Sequence, residues 1–424
     1  MKTHIQTLAT AVLFVFLLLP GKLVFGQEVK NGTETYKGLV VDAKTEKPIV
    51  FASISAQGSN TSTVSNNEGR FTLKIKTGAT PAAIEVAHLG YTTLRVETLA
   101  LKEAENVIRL QPAIIPLKEV VVHGYNPAEL FDEVMRRIKN NYNVDADMMK
   151  GFYREAIRKR SNYIYISESI VDIYKAGYTN ALEDDQVKIF KGRISSKVKA
   201  LDTIIVKLQG GPTIPLLMDI AKNPALIFND DNVGKYDFKM GEMSAIDDRA
   251  IYVLEFQPKD KAHYSLYGGK LFIDAQTLAI AAAEFSLNIE NIEDATRLFI
   301  RSKPAHLRFE PLSTYYFVKY KEDKGKYYFN YARFELNFTC DYKKKLFKSK
   351  YAVMAELAIT DKDNQNVHKF PFRDRVAQTK IFADSQTAFT DPDFWGDQNF
   401  IEPDKSIEEA LVKYAKWLKK TGHE

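Results

Sequence analysis

The sequence predicts a mainly β protein. A seven-stranded-type β-sandwich is followed by a larger antiparallel β-sheet domain with a few helices. Three observations carry this. Short apolar runs punctuated by Gly, Pro and Asn recur between Tyr36 and Gln111, and long alternating strands fill most of Gly151 to Asp384. Aromatic residues make up 12% of the chain, with 22 Tyr and 26 Phe against 2 Trp. That bias suits rings packed across neighbouring strands. The 424 residues, 45% hydrophobic and 27% charged, have ordinary globular composition and the length of two or three domains.

The first 26 residues read as a secretory signal. Lys2 gives a positive start, Ala9 to Leu19 an unbroken apolar run, and Pro20 breaks it. Val24-Phe25-Gly26 then offers small residues at a cut before Gln27, and the apolar run is short for a bilayer span. No Cys lies beside the cut to carry a lipid anchor. Removing the signal takes away Lys2 and Lys22 and no acid, so two charges fewer turn +5 into +3. Such a balance gives no support to nucleic-acid binding, which concentrates positive charge on one face. The lone Cys340 has no internal disulfide partner. A secreted chain without staples suggests an envelope protein with a core large enough to stand alone, in the periplasm or associated with the outer membrane.

Residues 27–35 are polar and read as a leader. From Tyr36 the strands KGLVVDA, FASISAQ, RFTLKI, AIEVAHLGYTTLRVE and NVIRLQP follow one another. Ala52, Ile54 and Ala56 share one side of their strand, and Phe71, Leu73 and Ile75 one side of theirs. Asn66-Asn67-Glu68-Gly69 is a turn. In order, Gly38, Val40, Asp42, Thr45, Pro48-Ile49, Ala52, Ile54, Gly58, Ser65, Gly69, Phe71, Leu73 and Gly90-Tyr91 resemble the carboxypeptidase regulatory-like domain. This transthyretin-like sandwich is common in envelope proteins of the Bacteroidetes and stands at the front of TonB-dependent receptors. The resemblance covers Tyr36 to Gln111 and implies a compartment and an architecture. It implies no peptidase chemistry, because each matched residue has a plain structural role.

The stretch LKEVVVHGY, Leu117 to Tyr125, closes the region 36–125. It is similar to the strip that leads from the sandwich into an uptake receptor, which makes Glu119, Val120, Val121 and Val122 a candidate docking strip. Only about 300 residues follow, too few for a 22-stranded barrel at roughly ten residues per strand plus loops and plug. The strip therefore reads as an edge strand whose Gly124 turns the chain into a linker helix within 126–150. Asn126 can cap that helix, Pro127 suits its first position and Glu129 its first turn. Leu130, Val134 and Ile138, with Phe131 and Met135 beside them, make its apolar stripe.

Residues 151–385 read as antiparallel strands joined by hairpins such as Asp274-Ala275-Gln276-Thr277 and Glu322-Asp323-Lys324-Gly325. Phe334, Leu336, Phe338 and Cys340 line one side of a strand and Arg333, Glu335, Asn337 and Thr339 the other. The expectation is a sheet covered on one side and wet on the other. Gly211 to Asn223 has helical length and could form part of the cover. The meander with YGGKLFIDAQTLAIAAAEF is similar to the curved half-barrel of periplasmic lipoprotein carriers, which implies an apolar cavity. GFYRE, with YISESIVDIYKAGY and VKIFKGR, resembles Bacteroidetes envelope proteins of unassigned role that carry the same sandwich. In the tail, 386–424, Phe394, Trp395 and Phe400 are expected to pack back on the sheet. Ser406 to Glu409 reads as a capping box for an amphipathic helix bearing Ile407, Leu411, Tyr414 and Trp417.

The search for chemistry excludes more than it finds. Histidines 4, 88, 123, 263, 306, 368 and 423 have no zinc-ligand spacing, and the chain has no CxxC, no G-x-S-x-G elbow and no phosphate-binding glycine loop. Cys340 falls on an apolar strand face, where a thiol is inert. Asp184-Asp185, Asp230-Asp231 and Asp247-Asp248 read as solvated turn acids. Lys343, Lys344, Lys345 and Lys348 read as a charged hairpin edge, with contact to anionic headgroups or a partner as the alternative, and Trp417 poses the same choice. The expectation is therefore a non-catalytic envelope protein with no cofactor, no metal and no nucleic acid. It acts as an interaction module or binds an apolar, lipid-like ligand or an envelope protein, with peripheral outer-membrane contact as a further option. Two alternatives stand behind it, an accessory role in TonB-dependent uptake and, last, a hydrolase or peptidase.

Overall fold

In a computed structural model, the described residues are 32–78, 80–102, 106–113, 124–180, 183–196, 211–229, 231–246, 249–260, 265–299, 307–342, 348–377, 387–388 and 394–421. Seven strands come first: β1 (Thr33–Asp42), β2 (Ser53–Ala56), β3 (Ser62–Val64), β4 (Arg70–Lys76), β5 (Ala83–Ala87), β6 (Leu94–Glu97) and β7 (Asn106–Leu110). They form two layers, ordered β4-β1-β7 and β3-β2-β5-β6. Period-two alternation places Val40, Ile54, Phe71, Leu73, Ile84, Val86 and Leu110 between the layers, all fully buried. Strand β1 begins inside the stretch read as a leader, because Thr33 to Thr35 pair with Lys74 to Lys76. The turn before β4 is built on Asn66, whose Oδ1 accepts the N–H groups of Glu68 and Arg70. Gly69 sits there at φ +75°, and a Cβ on it would stand 2.6 Å from the carbonyl oxygen of Val40. Only glycine meets both demands.

Helix α1 (Pro127–Asn141) follows, capped by Asn126, whose side chain accepts the Ala128 N–H at 3.0 Å. Its Leu130, Phe131 and Val134 are buried. The chain then enters β8 (Asp147–Lys159), β9 (Asn162–Lys175) and β10 (Gln186–Ser196). After the short helix α2 (Thr213–Leu217) come β11 (Tyr236–Met240), β12 (Ser244–Ile246), β13 (Arg249–Pro258), β14 (Tyr267–Asp274) and β15 (Ile280–Leu287). Helix α3 (Ile292–Phe299), β16 (Leu307–Asp323), β17 (Lys326–Tyr342), β18 (Ser349–Asp363), β19 (Thr387–Ala388) and α4 (Lys405–Thr421) complete the described chain. These twelve strands make one sheet ordered β11-β13-β14-β15-β16-β17-β18-β8-β9-β10-β19, with β12 also on β13. Neighbours are antiparallel except the two-residue pairing of β10 with β19. Turn chemistry sets the hairpins. Lys324 and Gly325 take φ of 54° and 79° between β16 and β17, the twist a tight hairpin requires. Asp274 Oδ1 accepts the N–H groups of Gln276 and Thr277 between β14 and β15.

The sheet is covered on both sides, not one. The side carrying Phe334, Leu336, Phe338 and Cys340 is buried as the alternation predicts. The opposite side, expected to be wet, is buried at Arg333 and Thr339 and half-buried at Glu335 and Asn337. The sandwich and the tail lie across it. Phe51 stacks on Tyr331 and Phe317 with centroids 5.2 and 6.2 Å away, and its carbonyl accepts Lys319 Nζ at 2.8 Å. Asn60 and Ser62 donate to the β18 carbonyls of Lys362 and Ile359, and Thr63 to that of Phe400. Trp395 and Phe400 pack edgewise or tilted on Phe152, as the aromatic tail suggests. Ile407 and Leu411 of α4 bury against Ala156 and Ile166.

Two local expectations are corrected. The segment 211–223 is helical only over Thr213–Leu217, after which the N–H groups of Met218, Asp219 and Lys222 each bond three residues back and the chain continues in tight turns. Helix α4 begins at Lys405, ahead of the Ser406 box. The Asp404 carbonyl accepts the N–H groups of Ile407 and Glu408, while its carboxylate is held by Asn67 of the sandwich. Among the described residues no helix is long and apolar enough to cross a membrane.

Phe51 holds φ at 57°, a conformation costly for a bulky residue, so the contacts of its ring and carbonyl outweigh local strain. Phe51→Ala is expected to lower stability by about 2–3 kcal/mol in urea unfolding. An unchanged midpoint would show that the ring does not dock the sandwich.

Candidate functional site

The two sides of the large sheet carry different chemistry, set by alternation along each strand. On the side facing the sandwich, register aligns one residue from each of nine strands: Glu255, Lys270, Glu284, Phe317, Arg333, Glu356, Arg154, Glu168 and Arg193. The last five form a continuous run of ion pairs. Arg333 reaches Glu356 at 3.0 Å, Glu356 reaches Arg154 at 3.1 Å, Arg154 reaches Glu168 at 2.8 Å, and Glu168 reaches Arg193 at 2.6 Å. All five are at most 6% exposed. Directly opposed residues on antiparallel strands stand close enough for such contacts without unusual rotamers. The row has a lid. Arg154 Nη2 donates to the Ile401 carbonyl at 2.7 Å, Trp395 lies 4.7 Å from the Arg193 guanidinium, and Phe51 lies 5.1 Å from that of Arg333. Burial opposes ionisation of Glu168, but Arg154 and Arg193 outweigh it and hold its carboxyl below the ordinary value.

The next row, on the opposite side, is mostly apolar and aromatic: Phe256, Gly269, Phe285, Tyr316, Phe334, Ala355, Glu155, Ser167 and Ile194. Phe285 stacks parallel on Tyr316 at 4.9 Å, Tyr316 lies 5.1 Å from Phe334, and Tyr267 meets Phe285 edge-on at 5.6 Å. One carboxylate interrupts this surface. Glu155 is 1% exposed and accepts the hydroxyls of Tyr153 and Tyr165. Burial pushes it up to about 7, with the two hydroxyls pulling the other way. Ser167, its neighbour across the strand pair, is fully buried and its Oγ has no hydrogen-bond partner.

The same side is closed over the β13 end of this row and toward the β16–β17 hairpin. Phe131 of α1 packs on Phe228 and Phe238, each with centroids 4.7 Å away, and Phe228 packs on Phe256. The segment after α2 is pinned through Asp219, which accepts the hydroxyls of Tyr178 and Tyr320 and pairs with Lys175 at 2.7 Å. Asp185, expected in a solvated turn, instead has its side chain 8% exposed between Lys175 and Lys222, at 2.7 and 2.6 Å. Its neighbour Asp184 is exposed. This cluster is fully partnered and reads as a latch for the covering segment.

The residues singled out from sequence are not members of these two rows. Glu119, Val120, Val121 and Val122 lie outside the described residues, as do Lys343, Lys344 and Lys345. Lys348 is exposed and pairs with Glu310 at 2.9 Å. Trp417 belongs to α4, and its side chain lies outside the described set. Cys340 is buried in the aromatic side, where its thiol is pushed up to about 11. Among the described residues no group of three His, Cys, Asp or Glu could hold a metal ion. Sequence reading missed Arg154, Glu155, Ser167 and Glu168. Their signal was present: ionisable residues inside GFYRE and SES, in strands otherwise apolar enough to be covered.

Residues 36–122 match the CarboxypepD_reg-like domain family, so the N-terminal sandwich is a domain of that kind. No curated protein is similar enough to the chain to count as a relative. Among solved structures, a DUF1329 family protein from Desulfovibrio piger is 13% identical over 55% of this chain and 94% of that one, at a TM-score of 0.24. A LolA superfamily protein from Nitrosomonas europaea is 11% identical over 56% and 97%, at 0.18. A putative membrane-associated protein of unknown function from Bacteroides fragilis is 10% identical over 78% and 99%, at 0.15. At these TM-scores the likenesses carry no argument.

Two predictions follow from the rows. Glu356→Gln leaves Arg333 and Arg154 short of a buried counter-charge and is expected to cost about 3–5 kcal/mol in chemical unfolding. Glu155 has the opposite signature. Its folded carboxyl titrates near 7, above the ordinary 4.5, so stability should fall as pH rises through that window and level off above it. The span corresponds to about 3 kcal/mol, and Glu155→Gln should flatten the profile of melting temperature against pH.

Proposed function

We propose that the secreted chain is a non-catalytic module of the cell envelope, in the periplasm or at the periplasmic face of the outer membrane. Its larger sheet holds an apolar, lipid-like ligand, and its sandwich serves as an interaction module. The observation that carries this reading is the aromatic side of the sheet, where Tyr267, Phe285, Tyr316 and Phe334 form a continuous run of ring contacts across four strands. These rings are buried, at 2% exposure for Phe285, 8% for Tyr316 and 7% for Phe334, so an acyl chain or another flat apolar body reaches them only where the cover on that side opens. The chemistry of the reactive groups agrees with a binding role. The Cys340 thiol stays protonated at neutral pH, and the charged-row carboxylates are already committed to arginines. Protein purified from its native envelope and extracted with organic solvent is expected to release a bound lipid in near-stoichiometric amount, read by mass spectrometry. Extracts indistinguishable from those of an unrelated envelope protein would sink the reading.

A second reading, an accessory role in TonB-dependent uptake, is favoured by one observation. The domain match runs through residue 122 and so includes Glu119 to Val122. Scrambling Val120–Val122 should abolish retention by the periplasmic domain of TonB if the strip docks, and equal recovery of both forms would remove this reading.

A further inference from the structure

The sandwich layer β3-β2-β5-β6 leaves a cleft of about 410 Å³ between its outer face and the large sheet, within the ~300–1,000 Å³ range of small-molecule sites. Ile54 and Val86 fill the sandwich core, so alternation turns Ser55 of β2 and Glu85 of β5 outward into the cleft. The two stand directly opposite each other across the strand pair. Ser55 is 4% exposed, yet its Oγ has no hydrogen-bond partner among the described residues. The half-buried Glu85 carboxylate has neither a hydrogen bond nor an ion pair among them. The facing wall comes from the end of β16 and the start of β13. Lys319 is 4% exposed and gives one donor to the Phe51 carbonyl at 2.8 Å, and Lys321 is half-buried two positions on. Arg249 and Glu322 offset each other at 3.9 Å, and Arg249 also meets Asp274 at 3.3 Å. The sandwich wall is therefore negative and the sheet wall positive. His88, close behind Glu85 on the chain, registers that field. Burial first, and the Lys319 ammonium second, lower its imidazole to about 4.

We propose that this cleft binds a small zwitterion of dipeptide size, its ammonium on Glu85 and Ser55 and its carboxylate toward Lys319 and Lys321. The unpartnered groups of the sandwich wall are an anionic acceptor and a hydroxyl. One ammonium, with three donors, serves both together. A ligand bearing only positive charge meets the lysines, and one bearing only negative charge meets Glu85. A short body with opposite charges at its two ends complements both walls at once. The cleft is separate from the aromatic side of the sheet, so the inference stands or falls independently of the lipid reading.

The test titrates the full chain by calorimetry, near neutral pH, with dialanine, its N-acetyl form, its C-terminal amide and the doubly capped form. Dialanine is expected to bind about tenfold tighter than either singly capped form, a ratio of about 1.4 kcal/mol. Glu85→Gln, which keeps the shape of the side chain, should bring dialanine and the N-acetyl form to near parity. Lys319→Met should narrow the gap between dialanine and its amide. Lys321→Met, at the half-buried position, should narrow it too without touching the Phe51 contact, which covers the case in which Lys319→Met fails to fold. Ser55→Ala should weaken dialanine several-fold and leave the unfolding midpoint unchanged. Equal affinity for the four forms, tightest binding by a capped form, or a preference that survives Glu85→Gln overturns the inference. So does the absence of dialanine binding at millimolar concentration.

Discussion

The buried run Arg333–Glu356–Arg154–Glu168–Arg193 is the constraint on which the rest of the architecture depends. Ion pairs withdrawn from water contribute little net stability, because desolvation offsets most of the attraction. Their effect here is on alternatives. A one-residue slip of any of the five strands would carry its charge to the aromatic side and leave its neighbours unpaired. The row therefore fixes register across β17, β18, β8, β9 and β10. It also has to be covered, since a half-solvated row would exchange with water. Trp395, Ile401 and Phe51 provide that cover.

That covering ties the two parts of the chain together. The sandwich is attached through an ordered set of contacts: the Phe51 ring, the Phe51 carbonyl on Lys319, the β3 hydroxyls on β18 and the tail, and Asn67 on Asp404. The tail crosses between sandwich and sheet, with Asn399 hydrogen-bonded to the backbone of Lys74 and Glu402 to Thr72. The aromatic side is buried as well, at Phe256, Phe285, Tyr316 and Phe334. Helix α1 and the Asp219 latch close over it, and Glu155 and Ser167 are buried within it.

Much of the fold was legible because it depends on local chemistry. The Asn66 to Gly69 turn, the Asn126 cap, the Lys324-Gly325 hairpin and the alternation of Phe334, Leu336, Phe338 and Cys340 each follow from neighbouring residues. The expected wet side was wrong for a non-local reason. Arg333 looks like a solvent-facing residue until Glu356, about twenty positions on, and Phe51, nearly three hundred positions back, are brought against it. The same holds for Asp185, which reads as a turn acid until two lysines close on it.

The sequence by itself determined the class of fold, the sandwich, the strand faces and the absence of any familiar catalytic motif. These rest on periods of two and on turn residues, which act over a few positions. Tertiary structure alone decided which ionisable groups share a row, which side of the sheet the chain itself covers, and that Glu155 is left without a counter-charge beside an unpartnered Ser167. Those outcomes depend on register between strands far apart in the chain. Pairing partners are chosen by the whole sheet, so no single strand carries the information.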